Sequence, residues 1–126
     1  MLASAKAGPV TKLVITSGGG EVDAALNLAS WVFRQQLDVE VSEYCFSSCA
    51  NYVFPAGDRK IIRKGAVVAW HGNYQHLKQT GLWKDDVSTR MNKYNEDKET
   101  AERYVRNQVD RLAGLEQEFF NRIGID

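Results

Sequence analysis

The stretch VTKLVITSGGGEV, residues 10–22, decides the fold because it carries a buried strand into a helix across three consecutive glycines. The β-branched residues of VTKLVIT, residues 10–16, predict a strand that begins after Pro9 and ends before the glycine run. A helix is predicted from Val22 to Gln36, because apolar residues recur there at helical spacing. Consecutive glycines allow a sharp turn and let a ligand approach main-chain N–H groups; a tight turn without a ligand fits them equally well.

The segments that follow repeat this alternation of strand and helix. Their patterns predict a strand over residues 37–44 and a short apolar helix from residue 47 or 48 to residue 54. Two short strands are predicted to follow, over residues 59–65 and 66–71. Pro55-Ala56-Gly57 closes the short helix. The order strand, helix, strand, helix, strand predicts parallel β-α-β units and therefore the α/β class.

The last part of the chain is predicted to be a polar loop and one long helix. The loop runs from Gly72 to about Trp83, and the helix covers residues 86–122. Its apolar stripe recurs at three- and four-residue steps, at Val87, Met91, Tyr94, Ala101, Val105, Val109, Leu112, Leu115 and Phe119. Such a stripe is typical of a core face, but this helix is longer than a small sheet needs. We therefore expect one domain, residues 1–126, that self-associates through the far half of the helix.

Composition excludes several classes of function. Basic and acidic side chains balance at 16 each, which removes the electrostatic basis for nucleic-acid or anionic-membrane binding. No run approaches the ~20 apolar residues of a membrane span. The glycine run lacks both the Lys-Ser/Thr ending of a phosphate loop and the spacing of a dinucleotide fingerprint, so we assign no cofactor and no metal. Cys45 and Cys49 form a disulfide or are small buried residues, two alternatives that the spacing leaves open.

Three segments of the sequence contain candidate catalytic groups. The first is the glycine turn, whose amides at Gly19 or Gly20 are candidates to hold an oxyanion. The second is Ser48, which lies where a strand passes into a helix, with the Cys49 amide directly after it. The third is His71, which ends a buried strand and is the usual type of base for a serine hydroxyl. The alternatives are a ligand-free turn, a serine at residue 47 or 48 that only caps the helix, and a histidine bonded to a carbonyl.

The order of these segments resembles the Clp-peptidase and crotonase superfamily. The resemblance is carried by VITSGGGEVDAALNLASWV, residues 14–32, and CFSSCANYVFPAGDRKIIRKGAVVAWHG, residues 45–72. In Clp-type serine peptidases the nucleophile opens a small-residue helix that ends in an Ala-Gly pair. Alignment on that pair implies Ser48 as the nucleophile and His71 as the base. It also implies oxyanion amides at Gly20 or Gly19 and at Cys49.

The resemblance also implies a substrate, an assembly and a compartment. We expect a peptide or acyl substrate and a homo-oligomer. We also expect the loop 72–84 to cover the site; the alternative is that its apolar residues only anchor the loop to the core. The Cys-x-Ser-x-Cys pattern is similar to the one in uncharacterised Clp-like bacterial proteins, many of which are predicted to be exported. This pattern favours a periplasmic or exported protein over a cytoplasmic one.

This chain departs from the family pattern at three points. Gly18 replaces the usual proline of the oxyanion turn, and cysteines flank the serine. The acidic third member of the triad lies beyond the long helix in the family, whereas this sequence ends at Asp126, short of that place. The carboxylate is therefore missing, supplied by another residue such as an acid on the long helix, or lost with a truncated terminus. We also expect the family's first strands to be absent before residue 10, in which case the chain is a truncated core of the domain. Without an orienting acid, we expect slow hydrolysis.

The sequence is also compatible with other classes of function. A crotonase-like acyl-CoA enzyme uses the same backbone amides without a Ser-His pair. A non-catalytic oligomeric scaffold keeps the fold and does not use Ser48. A Ser-Lys dyad is a further alternative, but no lysine is singled out by its position.

Overall fold

The computed structural model describes residues 9–125 and shows an α/β protein with a parallel sheet and a long C-terminal helix. The chain divides into two compact units, one up to His71 and one from Gly72 onward. Asp126, where the sequence ends short of the expected acid, lies outside the described residues. No helix within residues 9–125 combines the length and the apolar composition that crossing a membrane requires.

The first unit is built on a sheet whose central strand is β2 (Asp38–Phe46). Strand β1 (Lys12–Ser17) pairs with one edge of β2 in parallel, with Lys12 opposite Asp38. The short strands β3 (Lys60–Ile62) and β4 (Val67–Ala69) follow one another along the other edge, also in parallel. Because all these pairings are parallel, the turns that follow β1, β2 and β4 lie at the same edge of the sheet.

Two helical segments pack together beside the sheet in this unit. Helix α1 (Val22–Arg34) buries Leu26, Ala29 and Val32, the apolar face predicted from the sequence. It packs on a π-helical segment, Cys49–Val53, that continues into a single α-helical turn, α2 (Phe54–Ala56). The π-helical segment and α2 in turn pack on β2.

The Ala-Gly pair at the end of α2 has a packing reason. A Cβ added at Gly57 would lie 2.9 Å from the Val39 Cγ2 atom of β2, closer than real Cβ atoms approach a neighbour. Ala56 is itself only 2% exposed. Small residues are needed here because the end of α2 lies directly on the central strand.

The second unit consists of helices α3 (Tyr74–Thr80), α4 (Asp85–Tyr94) and α5 (Lys98–Ile123), with a 3₁₀ turn over Leu82–Lys84. The predicted loop from Gly72 to Trp83 is therefore wrong. The Asn73 side chain caps α3 by accepting a hydrogen bond from the His76 N–H at 3.0 Å. Gly81 ends the helix in the left-handed conformation, with φ of 75°.

The predicted long helix over residues 86–122 is two helices. Asn95 interrupts it with a left-handed φ of 52°. The Asp97 carboxylate then caps α5 by accepting the Thr100 N–H at 2.7 Å. This polar interruption between the helices outweighs the continuous apolar periodicity.

The apolar stripe is largely buried within the chain. Residues of the 3₁₀ turn, α4 and α5 form one cluster, consisting of Trp83, Val87, Ala101, Val105 and Val109. In the far half of α5, Leu112 and Phe119 are only 7% and 2% exposed, while Leu115 is 36% exposed. Tyr94 of α4 is also exposed, at 53%, so burial of the stripe is incomplete and the homo-oligomer stays a prediction.

A buried carboxylate connects α5 to α3. Glu116 is fully buried and accepts hydrogen bonds from the backbone N–H groups of Tyr74 at 3.3 Å and Gln75 at 3.0 Å. The Gln75 side-chain amide donates to the Ala113 carbonyl at 2.6 Å. The Glu116 carboxyl group therefore accepts from amides in the first turn of α3, where a helix supplies no acceptor of its own.

Replacing this carboxylate tests the connection. We expect Glu116→Ala to lower the free energy of unfolding by about 1–3 kcal/mol, because the amides of Tyr74 and Gln75 lose their side-chain acceptor. Glu118→Ala removes an exposed carboxylate from the same helix and should change stability by less than about 0.5 kcal/mol. Urea denaturation followed by circular dichroism measures both variants. Equal stability of the two variants would show that Glu116 does not anchor α3.

Glu40 joins β1 to the segment after β3. Its carboxylate accepts hydrogen bonds from Lys12 Nζ at 3.0 Å and Arg63 Nε at 2.6 Å. These bonds, the one from Lys12 first, hold the pKa of Glu40 below its ordinary value of 4.5. Because the folded state lowers this pKa, the ion pairs stabilise the fold above the ordinary value and are lost as the pH falls through the folded pKa.

Acid titration of stability tests this contribution. We expect Tm to fall between about pH 5 and about pH 2, and Glu40→Gln to make that fall shallower, since glutamine does not titrate. Glu43→Gln, at an exposed position of the same strand, is the matched control and should keep the wild-type slope. Thermal melts across this range measure the effect. An unchanged slope in Glu40→Gln would exclude Glu40 as a source of the acid sensitivity.

Candidate functional site

The candidate site lies at the sheet edge where the turns after β1, β2 and β4 meet. The first turn carries Gly18 to Gly20, the second carries Ser47 and Ser48, and the third carries His71. Parallel pairing brings these three turns together, as the sequence predicts. All three belong to the first unit.

His71 pairs with Ser47. Ser47 Oγ lies 2.6 Å from His71 Nε2, a hydrogen-bonding distance. Ser47 has a left-handed φ of 57° immediately after β2 ends, a conformation that non-glycine residues rarely adopt. Its N–H donates to the Ala69 carbonyl of β4 at 3.3 Å, which ties the serine turn to the strand that leads to His71. A strained serine between a strand and a helix is the geometry of an exposed nucleophile.

The hydroxyl of Ser48 does not face His71 and is bonded to Gly20 instead. Its Oγ accepts the Gly20 N–H at 2.9 Å and donates to the Gly20 carbonyl at 2.8 Å. Ser48 is only 3% exposed and has a helical φ of −63°. The predicted pairing of His71 with Ser48 is thus replaced by pairing with Ser47. The left-handed φ of Ser47 reorients the chain between the two residues, so that their hydroxyls face different partners.

The amides predicted to hold an oxyanion also have defined positions. The Gly20 N–H donates to Ser48 Oγ, and the Gly19 N–H donates to Ser17 Oγ at 3.1 Å. Serine hydroxyls therefore occupy both glycine amides in this structure. Cys49, the third predicted donor, begins the π-helical segment. The amide directly after the histidine-paired serine is that of Ser48.

A disulfide encloses the serine turn. The structure joins Cys45 of β2 to Cys49, with their Cα atoms 5.4 Å apart, and so selects one of the two alternatives that the sequence left open. The residues inside the closed loop are Phe46, Ser47 and Ser48. Both cysteines are buried, at 0% and 2% exposure.

The glycine turn lies directly against the serine turn. A Cβ added at Gly19 would lie 2.7 Å from Ser47 Cβ, 2.8 Å from the Phe46 carbonyl oxygen and 3.1 Å from Ser48 N. Gly19 also has a φ of 98°, which disfavours any other residue. An added Cβ at Gly18 would meet nothing within 4 Å. The close approach therefore requires glycine at residue 19, whereas residue 18 has space for a larger side chain.

A small cleft opens beside Ser48. Its volume is about 180 Å³, and its walls combine Gly19 and Gly20 of the turn with Val53 and apolar side chains of α1. Ser48 and Cys49 line it, but Ser47 and His71 do not. In residues 9–125 no cluster of His, Cys, Asp and Glu side chains is suited to holding a metal ion. The site thus offers hydroxyls, an imidazole and backbone amides as its chemical groups.

Paired glycine variants test the contact between the two turns. We expect Gly19→Ala to lower the free energy of unfolding by about 2 kcal/mol or more, because it adds both a clash and an unfavourable φ. Gly18→Ala should change stability by less than about 0.5 kcal/mol. Chemical denaturation of both variants gives the comparison. A Gly19→Ala protein as stable as Gly18→Ala would contradict this packing.

Comparison of the chain with protein-family models, curated protein sequences and solved structures finds no match. The likeness to Clp peptidases consequently stays a resemblance of motifs. What the site can do chemically follows from the geometry of the three turns, and above all from the contact between Ser47 and His71.

Proposed function

We propose that this protein is a serine hydrolase in which Ser47 is the nucleophile and His71 is its general base. The observation that carries the proposal is the 2.6 Å distance between Ser47 Oγ and His71 Nε2. The left-handed φ of Ser47 gives further support, because nucleophiles on strand-to-helix turns are held in such strained conformations. His71 is an exposed residue, which leaves room for a substrate beside it.

The reaction follows from these positions. In the tautomer with Nδ1 protonated, His71 Nε2 accepts the proton of Ser47 Oγ as that oxygen attacks the substrate carbonyl carbon. The imidazolium then returns the proton to the leaving group, and an acyl ester on Ser47 remains. Water hydrolyses this ester with His71 again acting as the base.

The developing oxyanion has a donor in the backbone beside Ser47. The amide directly after a nucleophile is a common oxyanion donor, and here it is the N–H of Ser48. Glycine at residue 19 keeps side-chain atoms away from this nitrogen, since a Cβ there would lie 3.1 Å from it. Ser48 acquires a different role from the predicted one, because its hydroxyl holds the Gly20 peptide in place.

We propose peptides or other acyl compounds as substrates and a Clp/crotonase-like arrangement as the fold. The parallel strands, the glycine turn and the Ala-Gly ending of α2 support this fold assignment. The Ser47–His71 pair favours a hydrolase over a crotonase-like acyl-CoA enzyme, which needs only backbone amides. The disulfide supports an oxidising compartment such as the periplasm.

Labelling with a fluorophosphonate tests the nucleophile. We expect a single phosphonyl adduct on Ser47, located by tandem mass spectrometry. Ser47→Ala should abolish that adduct, and His71→Ala should slow its formation by about 10⁴-fold, because the serine loses its base. Ser48→Ala, the neighbouring serine variant, should still be labelled at residue 47.

The alternative results point to different conclusions. An adduct on Ser48 that persists in Ser47→Ala would overturn the assignment to Ser47 and restore the assignment made from the sequence. A folded wild-type protein with no adduct on either serine would favour the non-catalytic scaffold.

A further inference from the structure

We propose that the Cys45–Cys49 disulfide makes the Ser47–His71 pair dependent on the redox state of the protein, with the pair formed in the disulfide state and lost in the dithiol state. Its effect on catalysis rests on the proposed hydrolase function. The effect of the disulfide on the geometry of the pair does not rest on that function, because the two side chains are in contact whether or not the protein is an enzyme.

The position of the disulfide is the first argument. Cys45 is the second-to-last residue of β2, and Cys49 is the first residue of the π-helical segment. The bond therefore joins the two elements that fix the ends of the serine turn. Ser47, the residue paired with His71, lies midway between the two cysteines.

The conformation of Ser47 is the second argument. A left-handed φ in a residue with a side chain is unfavourable and persists only where its surroundings impose it. Two backbone hydrogen bonds contribute here: Ser47 N–H to Ala69 O at 3.3 Å, and Asn51 N–H to Ser47 O at 2.8 Å. The hydrogen bonds of the Ser48 hydroxyl to Gly20 hold the next residue and not Ser47 itself. Of the restraints on Ser47, the first backbone bond is long, so the covalent link is the strongest.

The size of the closed loop makes the effect local. Stabilisation of a whole domain by a disulfide grows with the length of the loop that it closes, and this loop is among the shortest. Loss of the bond should therefore leave most of the fold intact. What it releases is the turn itself, where a small displacement separates Ser47 Oγ from His71 Nε2.

The reaction that relates the disulfide and dithiol states is a two-electron thiol–disulfide exchange. A dithiol reductant breaks the bond between the two sulfurs, which become thiols, while the reductant becomes a cyclic disulfide; two electrons and two protons are transferred. Both cysteines are nearly inaccessible, so a thiolate reaches them only when the turn opens. We expect the folded oxidised protein to resist reduction and the redox state to be set when the protein folds.

Two readouts on reduced and oxidised protein test the proposal. The dithiol form is made by unfolding in dithiothreitol and refolding in its presence, and two maleimide additions confirm it. We expect amide hydrogen exchange over residues 46–50 to become faster by about tenfold or more, while exchange in the interior of α5 stays the same. Fluorophosphonate labelling of Ser47 should slow by about tenfold or more, since misplacement of a reacting group by 1 Å has such effects.

The double variant Cys45→Ala/Cys49→Ala is the matched control. It should behave like the dithiol form in both readouts and should not respond to dithiothreitol. Unchanged exchange and unchanged labelling in the folded dithiol form would overturn the proposal and leave the hydrolase function in place. Faster exchange without labelling in either redox state would support the redox dependence of the turn and count against the hydrolase function. Faster exchange throughout α5 would contradict an effect confined to the serine turn.

Discussion

The contact between the glycine turn and the serine turn is the constraint on which the candidate site depends. Gly19 lies so close to Ser47 and Ser48 that no side chain fits between them, and the Ser48 hydroxyl bonds to both polar groups of Gly20. These contacts fix two turns that are far apart in sequence. With Ser48 fixed in this way and the serine turn closed by the Cys45–Cys49 disulfide, Ser47 lies between two fixed points and its hydroxyl faces His71.

Much of the first unit could be predicted from its sequence, because its signals are local. The β-branched run before the glycines and the helical spacing of Leu26 and Ala29 predict β1 and α1 close to their observed bounds. The second unit is harder to predict, because the hydrophobic periodicity continues across the boundary between α4 and α5. Polar residues at that boundary end one helix and begin the next. Asn95 and Asp97 begin a new helix without disturbing the apolar stripe.

The candidate site could be located from the sequence, but its pairing could not. Parallel topology brings Gly20, Ser48 and His71 to one edge whichever way their side chains turn. Which serine faces the histidine depends on a single φ angle at residue 47, which no periodicity reports. One signal favours the observed pairing: the Cys-x-Ser-x-Cys pattern is centred on Ser47, whereas the distance to the Ala-Gly pair points to Ser48.

Two adjacent serines allow this turn to do two things that one serine cannot do. A hydroxyl bonded to Gly20 is held in the interior and cannot at the same time face an exposed imidazole. A hydroxyl bonded to His71 leaves the Gly20 peptide without its partner. Dividing the tasks requires the chain to change direction between the two residues, and the left-handed Ser47 provides that change. The disulfide closes the turn at both ends, so the same short segment fixes the glycine turn and presents a hydroxyl to the histidine.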